Sequence, residues 1–345
     1  MNPPPRLDAP FAFCLCQPGS ERWLKAEIEQ LRPDLRPSFQ RPGLISWKCT
    51  KTPFRADEAP AAIFARMWAA SLGPARDVET VLRLAGEVGA TRLFVCARDQ
   101  APPMDLPPAM EAAAEADAAR IEAALRATGR FVAGAPVKGD LVLDVVTSPD
   151  EPMMVGFHTH HHNRHANPGG RFVYDVPEDL PSRAWRKMVE GLAWSRAPIQ
   201  KGELVLEIGA APGGGTRALV EHGLRVLAVD PQDMHPDVLA LPGVEWLDRT
   251  VGELRPEELP SDISWIASDA HIPPSHVLAA VRRLLRTVAP RGLLLTLKLP
   301  DEAAVESLPR LLAQLGELGF TTILARQLPA NRRDVFVYAG RKAKR

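Results

Sequence analysis

Apolar and polar residues in the first sixty positions follow two different periods. The run FAFCLC at residues 11–16 predicts a strand, and ERWLKAEIEQL at 21–31 has apolar residues at helical spacing. Two short strands are predicted around Arg36–Phe39 and Gly43–Trp47, on either side of a Pro-Gly turn. We therefore expect a small α+β, ferredoxin-like unit over residues 10–58, preceded by a disordered tail at 1–9.

Over residues 59–165, apolar residues again recur at helical spacing in some segments and form strand-like runs in others. This pattern predicts a second α+β layer with an antiparallel sheet. The predicted helices are IFARMWAASL, VETVLRLAGEV and the alanine- and glutamate-rich PPAMEAAAEADAARIEAALRATG. The predicted strands are TRLFVCA and the pair LVLDVVT and MMVGFH. A polar hinge follows at 166–180.

From residue 181 to 345 the pattern changes to alternating strands and helices. Four runs are apolar almost throughout and have the length of buried strands: LVLEIG, RVLAVD, ISWIASD and GLLLTLKL. Continuous apolar strands separated by helices are typical of a parallel sheet that is covered on both faces. We expect an α/β, Rossmann-like domain over residues 181–345.

Composition narrows the class of protein. The 345 residues are 46% hydrophobic, which suits a globular chain and excludes disorder throughout. We see no apolar run of about 18 residues and no secretory signal, so we expect a cytoplasmic protein and no membrane partner, and we assume a monomer. Four cysteines without a CxxC pair indicate reduced thiols. The 42 basic and 42 acidic side chains cancel, which argues against a polybasic binder but not against a local basic face.

The segment LVLEIGAAPGGG at 204–215 is a strand followed by a glycine-rich turn and a helix. Its spacing is E-x-G-x-x-P-G-G, which differs from the G-x-G-x-x-G of dinucleotide sites. Pro212 removes one backbone donor at the helix start, so the turn suits a nucleoside cofactor without phosphates, such as S-adenosylmethionine. Asp230 closes the next strand and can accept hydrogen bonds from both hydroxyls of a ribose, while Glu207 is placed to help hold a cationic amino-acid end.

Three further charged residues stand at the ends of sheet elements. Asp269 closes ISWIASD, Lys298 closes LLLTLK, and Asp334 opens the last strand. Ligands bind outside the carboxyl ends of the strands in open α/β sheets, so we expect these residues near the cofactor, with Lys187 as a fourth member. A partly buried lysine beside another cation is expected to have a pKa lowered toward neutrality, where it accepts or orients the proton of a hydroxyl.

Five segments together resemble the FtsJ-type ribose 2′-O-methyltransferases, and among these the bacterial 23S rRNA cytidine 2′-O-methyltransferase M (RlmM) family. They are PSRAWRK (181–187), EIGAAPGG (207–214), ISWIASD (263–269), LTLKLP (295–300) and ARQLPANRRDV (325–335). The segments LCQPGSERWLKAEIEQL and FARMWAASL also resemble that family's amino-terminal region. The resemblance implies a ferredoxin-like and THUMP-like RNA-binding half, a Rossmann-like half that uses S-adenosylmethionine, and large-subunit rRNA as the partner.

The resemblance also implies site residues. The catalytic tetrad falls on Lys187, Asp269, Lys298 and Asp334, with Lys298 contacting the 2′-hydroxyl. The implied cofactor-binding residues are Glu207, Gly209, Ala210, Pro212, Gly213, Gly214, Asp230, Asp248, Thr250 and Asp269.

Three positions depart from the family pattern. Asp334 stands where the family has a glutamate, and Gly215 where it has a tryptophan. Thr250 stands where an acidic residue is expected to read the adenine amino group, and Asp248 is the nearest candidate to replace it.

Two clusters of charged or titratable residues lie outside the tetrad. Five histidines between 158 and 165 are expected in a solvated or RNA-contacting loop, without a metal. Basic residues in the last twenty positions, with Arg164 and Arg171, are interpreted as a solubilising tail or as a phosphate-contacting face beside the site. The basic residues of that carboxyl-terminal set are Arg326, Arg332, Arg333, Arg341, Lys342, Lys344 and Arg345.

Two alternatives to an rRNA ribose methyltransferase stay open. One is a methyltransferase acting on another substrate, namely tRNA, a base or a protein. The segment after the fourth strand, Asp-Ala-His-Ile-Pro-Pro, lacks the Asn/Asp-Pro-Pro-aromatic element common in methylation of base amino groups. The other is a non-catalytic RNA-binding protein with a diverged transferase domain, to which the three departures point.

Overall fold

The computed structural model describes residues 7–103, 105–165 and 167–342. The chain divides into two compact units, with the division between Val173 and Tyr174, inside the predicted hinge 166–180. Residues 1–6 of the predicted disordered tail lie outside the described residues. For residues 8–9 that prediction is wrong, because Asp8 and Ala9 pair with Arg55 and Phe54 in a short antiparallel ladder.

The described residues of the first unit form a mixed seven-stranded sheet, the short two-stranded ladder and three α-helices. Its elements are β1 (Asp8–Ala9), β2 (Phe11–Leu15), α1 (Glu21–Leu31), β3 (Leu35–Arg41), β4 (Leu44–Cys49), β5 (Phe54–Arg55), β6 (Met67–Ala75), α2 (Val78–Val88), β7 (Arg92–Ala97), α3 (Pro108–Arg126), β8 (Leu141–Thr147) and β9 (Met153–Thr159). Over the described residues the sheet has seven strands in the order β3-β4-β2-β6-β9-β8-β7. The segments 10–58 and 59–165 therefore form one sheet, because β2 pairs with β6.

Two predictions for this unit need correction. IFARMWAASL was expected to be helical, but Met67–Ala75 is the central strand β6, paired with β2 and β9. Alanine and methionine favour helices, yet pairing on both edges outweighs that local preference. The sheet is also not wholly antiparallel, because β7 and β8 run parallel. The pairing of β8 with β9 is antiparallel, as the sequence predicted.

The second unit is a Rossmann-like α/β sandwich. Its elements are α4 (Ala184–Ser195), β10 (Leu204–Ile208), α5 (Gly214–Glu221), β11 (Arg225–Val229), α6 (Pro236–Leu239), β12 (Val244–Leu247), β13 (Ile263–Ser268), α7 (Pro274–Leu284), β14 (Gly292–Lys298), α8 (Glu302–Glu317), β15 (Thr322–Arg326) and β16 (Asp334–Gly340). The strand order over the described residues is β12-β11-β10-β13-β14-β16-β15, with β16 antiparallel to both neighbours.

The predicted parallel sheet of the second unit is confirmed. The strands β10, β11, β13 and β14 pair in parallel, and every residue of β10 and β16 is buried, which requires cover on both faces. The chain moves from β10 outward to β12 and then crosses back to β13 on the other side. The order therefore reverses between β10 and β13, and an open α/β sheet forms its ligand crevice at such a switch point.

Candidate active site

The switch point brings the glycine-rich turn and Asp269 together. The turn follows β10, and Asp269 follows β13, the strand that pairs with β10 in parallel. Gly209 and Gly213 have φ angles of +74° and +112°, a region that L side chains rarely adopt. A Cβ on Gly209 would lie 2.5 Å from the Cβ of Ala270, so glycine is needed for this close approach of the two strand ends.

The four residues Lys187, Asp269, Lys298 and Asp334 form one cluster. Lys187 forms an ion pair with Asp334 and lies 3.6 Å from Asp269 Oδ1. Lys298 forms an ion pair with Asp269 and lies 3.4 Å from Asp334 Oδ2. No side chain of the four is more than 13% exposed. Each ammonium group is therefore shared between two carboxylates in a partly desolvated site.

Each member of the cluster comes from a different element, and the sheet register explains their meeting. Lys298 and Asp334 are direct partners in the antiparallel pair β14–β16. Asp269 follows β13, the other neighbour of β14. Lys187 reaches them from α4, which packs against β16. The shorter carboxylate of Asp334 is long enough to contact both lysines.

The electrostatics of the cluster correct one expectation. Burial alone would lower the pKa of Lys187, but the carboxylates of Asp269 and Asp334 outweigh it and raise that pKa above its ordinary value. The prediction of a lysine pKa lowered toward neutrality is therefore wrong for Lys187. Burial raises the pKa of Asp334, yet the two lysines outweigh it and hold that pKa below its ordinary value. Lys187 and Asp334 are an ionised pair near neutral pH.

Glu207 lies beneath the glycine turn and is 1% exposed. Its Oε2 accepts a hydrogen bond of 2.6 Å from the Thr216 hydroxyl. Burial raises the pKa of Glu207 to about 8. A Cβ on Gly215 would lie 2.3 Å from Glu207 Oε1, so the Glu207 carboxyl occupies the space that a side chain at 215 would need. This explains the glycine where the family has a tryptophan.

Asp230 ends β11 with its carboxylate fixed by the backbone. Oδ2 accepts a hydrogen bond from Ala211 N–H at 3.0 Å, and Oδ1 accepts one from Gln232 N–H at 2.9 Å. A carboxylate has about four acceptor positions, so two remain for other donors. Asp230 is partly exposed at the carboxyl edge of the sheet.

Asp248 and Thr250 follow β12, the neighbour of β11, and both are exposed. The N–H and the hydroxyl of Thr250 both donate to Glu253 Oε2, at 2.8 Å each. Thr250 is therefore engaged in its own turn, whereas the Asp248 side chain has no hydrogen-bond donor within reach among the described residues. Among the other turn residues, Ala210, Gly213 and Gly214 are buried and Pro212 is exposed.

A buried acid that the sequence analysis missed supports the cluster. Glu190 is one helical turn beyond Lys187 and is 2% exposed. Its Oε2 accepts a 2.7 Å hydrogen bond from Ala330 N–H, and its Oε1 accepts one from the Tyr174 hydroxyl. Helix α4 thus contacts the segment before Asp334 at a second point. The signal available in the sequence was an acid three residues after Lys187 on the same helix face.

The prediction of a solvated loop is wrong for part of the histidine cluster and holds for His162, which is exposed in the loop after β9. His158 and His160 are buried in the first unit, and His158 Nδ1 lies 2.6 Å from Asp144 Oδ2. Within the described residues, no three His, Cys, Asp or Glu side chains are grouped so that they could hold a metal ion. The strand β9 extends to Thr159 and carries His158 into the core.

The proposed basic face is also smaller than expected. Arg164 is buried and donates to three backbone carbonyls, and Arg171 pairs with Asp99 and Glu115, so both are internal to the first unit. Arg341 follows β16, a seven-residue strand, roughly 20 Å from Asp334 at its other end. Arg332 and Arg333 directly precede Asp334 and remain beside the cluster. Lys344 and Arg345 lie outside the described residues.

No helix in the described part of the chain is long and apolar enough to span a membrane. The cysteines Cys14, Cys16, Cys49 and Cys96 are all free thiols.

Comparison with known proteins gives a family match within the second unit. Residues 180–299 match the family described as FtsJ-like methyltransferase, so this unit contains an FtsJ-like methyltransferase domain. Ribosomal RNA large subunit methyltransferase M of Halorhodospira halophila is 31% identical over 173 residues, which are 49% of this chain and 50% of that protein. The protein of the same name from Laribacter hongkongensis is 31% identical over 179 residues, 49% of this chain and 50% of that protein.

The chain spans about half the length of the curated relatives it matches. The crystal structure of TrmN from Thermus thermophilus is 16% identical, with a TM-score of 0.37, over 96% of this chain and 99% of that chain.

Proposed function

We propose that this chain is an S-adenosylmethionine-dependent RNA ribose 2′-O-methyltransferase that acts on large-subunit rRNA. The observation that carries the proposal is the alternating cluster of Lys187, Asp334, Lys298 and Asp269 at the switch point of the sheet. A methyl transfer to a weakly acidic hydroxyl needs groups that bind the oxygen and take up its proton. Paired ammonium and carboxylate groups supply both.

The residues around the glycine turn fit S-adenosylmethionine. Asp230 has two acceptor positions left for the two hydroxyls of the cofactor's ribose. The turn Gly209–Gly213 offers backbone without bulky side chains at the strand end, and Gly214 begins helix α5. Ala210 and Pro212 complete this turn. These residues would hold the nucleoside and amino-acid parts of the cofactor.

Asp248 is the residue that we assign to the adenine amino group. Thr250 stands at the family's acidic position, but its donors are bound to Glu253. Asp248 follows β12 directly beside the end of β11, where Asp230 lies. Glu207 is buried with a raised pKa, so we assign it to the support of the turn through Thr216 instead of to a cationic partner.

When bound, S-adenosylmethionine supplies a methyl group on a positively charged sulfur that an oxygen nucleophile can accept in line. Lys298 binds the 2′-hydroxyl oxygen, because its ammonium stabilises the negative charge that develops as the proton leaves. The hydroxyl proton moves to Lys298 as the Lys298 proton moves to Asp269, its hydrogen-bond partner. One proton thus leaves the oxygen and one arrives on a carboxylate.

Lys187 and Asp334 hold Lys298 in place. Asp334 contacts both lysines, so it fixes their separation, and it is itself anchored by the Arg332 N–H, which donates to Oδ1 at 3.1 Å. Asp334 also shares Lys187 with Asp269. This pair is a positioning device, and its net charge of zero lets it remain ionised in a partly buried site.

The substrate assignment rests on the FtsJ-like domain and on relatives named ribosomal RNA large subunit methyltransferase M. We assign RNA binding to the first unit, with the ferredoxin-like and THUMP-like parts that the resemblance implies. Free thiols at all four cysteines suit a reducing compartment, and we place the activity in the cytoplasm.

The test is methyl transfer from labelled S-adenosylmethionine to rRNA taken from cells that lack this protein. Digestion of the product should give a label at a nucleotide that resists alkaline cleavage, because a 2′-O-methyl group blocks attack on the neighbouring phosphate. Lys298→Ala should lower the rate by at least about a hundredfold while cofactor binding, measured by calorimetry, is retained.

Lys201→Ala, at an exposed position of the same unit, is the matched control and should leave the rate unchanged. Label recovered on a base or on protein would show that the substrate assignment is wrong. Absence of cofactor binding at millimolar concentration would favour a non-catalytic RNA-binding protein.

A further inference from the structure

The first unit has a cavity of about 590 Å³ on one face of its sheet. Its lining is mainly apolar and includes Phe11, Phe39, Leu44 and Met154. Pockets for small ligands and cofactors have about this volume and combine an apolar lining with a few polar groups. A nucleobase, which has flat aromatic faces and polar edges, is small enough to enter such a space.

The face of the sheet that lines the cavity, here called the cavity face, continues past the cavity across β2, β4 and β3. Phe11 of β2 is opposite Lys48 of β4, and Lys48 is opposite Arg36 of β3. Residues directly opposite each other in antiparallel strands point to the same face. Ser46 is two residues before Lys48 and lines the cavity, so this whole row lies on the cavity face.

The pair Arg36 and Lys48 places two cations directly opposite each other. Both residues are exposed, and neither has an acidic partner within ion-pair distance among the described residues. Like charges in this position destabilise a sheet, so the arrangement costs stability unless an anion lies over it. Charges on an edge strand protect it from aggregation, which could explain Arg36 on β3 but not Lys48 on the interior strand β4.

The sequence around this pair is also rich in basic residues. Residues 35–52 contain Arg36, Arg41, Lys48 and Lys51 and no acidic residue, although the whole chain is neutral. All four basic residues are exposed. The cavity lining also contains Glu87 and Glu151, and Glu151 is paired with Arg41 and Arg98. A hairpin whose charged residues are all basic, beside a mainly apolar cavity, is complementary to a ligand that has both phosphates and bases.

Phe39 lies between the basic positions and is 39% exposed. The guanidinium carbon of Arg41 is 4.5 Å from the centre of its ring. Arg41 also pairs with Glu151 at 3.1 Å, which fixes the side chain over the ring. Aromatic rings and guanidinium planes are the surfaces on which unstacked RNA bases pack.

We infer that this face binds an unpaired stretch of RNA, with one base in the cavity against Phe11 and Phe39 and the backbone phosphates beside Arg36 and Lys48. The inference rests on the proposed function for the identity of the nucleic acid. It adds the surface of the first unit that holds the substrate, at residues remote in sequence from the methyl-transfer cluster.

The test measures binding of a fluorescent single-stranded oligoribonucleotide of about 12 nucleotides to the full chain. Phe39→Ala should weaken binding about tenfold through loss of base stacking. Lys48→Glu should weaken it further and reduce the slope of log affinity against log salt by about one, because phosphate contacts are lost. Lys138→Glu is the matched control: it makes the same charge change at an exposed loop that precedes β8, and should bind as the unchanged chain does.

A second readout locates the contact. Ultraviolet crosslinking to RNA containing 5-iodouridine, followed by peptide mapping, should place the crosslink within residues 35–55. Lys48 and Phe39 are exposed, so loss of folding is not expected, and circular dichroism of each variant checks it. Unchanged affinity in both variants, or a crosslink confined to the second unit, would overturn the inference.

The outcome separates this inference from the proposed function. If Lys298→Ala loses methyl transfer but Lys48→Glu binds RNA normally, the inference fails and the proposed function stands. If Lys48→Glu loses RNA binding while no 2′-O-methyl product forms with any RNA, the proposed function fails and the RNA-binding face stands.

Discussion

The ring of Phe336 occupies the space that a side chain on Gly191 would need. A Cβ on Gly191 would lie 2.1 Å from a ring carbon of Phe336. Gly191 is one turn after Lys187 on α4, and Phe336 is two residues after Asp334 on β16, so both pairs share a face. Glycine at 191 therefore lets α4 approach β16 closely enough for Lys187 to pair with Asp334.

Gly191→Ala should separate Lys187 from Asp334. The added methyl cannot fit without movement of α4 or of the Phe336 ring, and such overpacking costs about 1–3 kcal/mol. We expect a lower free energy of unfolding in urea and slower methyl transfer. Gly316→Ala is the control, since a Cβ there would lie 3.8 Å from Ile323 in ordinary contact, and alanine favours its helix. Equal effects of the two changes would contradict this explanation.

Glu190→Gln should slow methyl transfer without weakening cofactor binding. The charged acceptor for Ala330 N–H is replaced by a neutral one, so the segment that carries Asp334 is held less firmly. The measurement is kcat together with the dissociation constant of S-adenosylmethionine. Glu190→Asp keeps the charge and should recover part of the rate. A purely structural role would instead lower thermal stability and leave kcat of the folded fraction unchanged.

Asp334→Asn should move the pH dependence of methyl transfer to lower pH. The Asp334 carboxylate helps to raise the pKa of Lys187, so its removal should let that pKa fall. The limb of the pH–rate profile that reports this lysine should shift in the acid direction, and the maximal rate should drop about a hundredfold or more. Asp334→Glu keeps the charge and should show no such shift. A profile of unchanged shape in the Asn variant would exclude coupling between the two residues.

Glu207→Gln should reduce the dependence of stability on pH. The pKa of Glu207 is about 8 in the folded chain and near 4.5 when exposed, so the folded state retains this proton where the unfolded state loses it. The free energy of unfolding therefore falls as pH rises from about 4.5 to 8, and glutamine removes this contribution. Urea denaturation at several pH values measures it. Glu245→Gln, at an exposed position on β12, controls for loss of one acid and should leave the pH dependence unchanged.

The core of the second unit could be predicted from the pattern of apolar residues. The runs that became β10, β11, β13 and β14 are apolar at nearly every position, because strands buried on both faces permit little else. The sequence also placed the glycine turn after β10 and a charged residue at the end of β13 and of β14. These features depend on local pattern and spacing, which a single chain displays directly.

Which of those charged residues come into contact depends on long-range pairing in the folded chain. The pairing of Lys298 with Asp334 depends on the antiparallel register of β14 and β16, which no local pattern specifies. The contact of Glu190 with Ala330, and the distance between Asp334 and the basic residues after β16, likewise depend on how the chain folds. The raised pKa of Lys187 follows from two carboxylates brought close by folding.

In the first unit, strand pairing and burial outweighed the local preferences of the sequence. The segment around Trp68 has residues that favour a helix, but strands on both sides recruit it as β6. His158 stands in a polar stretch, yet β9 carries it into the core beside Asp144. Local preference amounts to a fraction of a kcal/mol per residue, whereas sheet pairing and burial act on the whole segment at once. The pattern along the chain therefore fixed where buried strands could form, and long-range packing decided their partners and the charges that each strand end would meet.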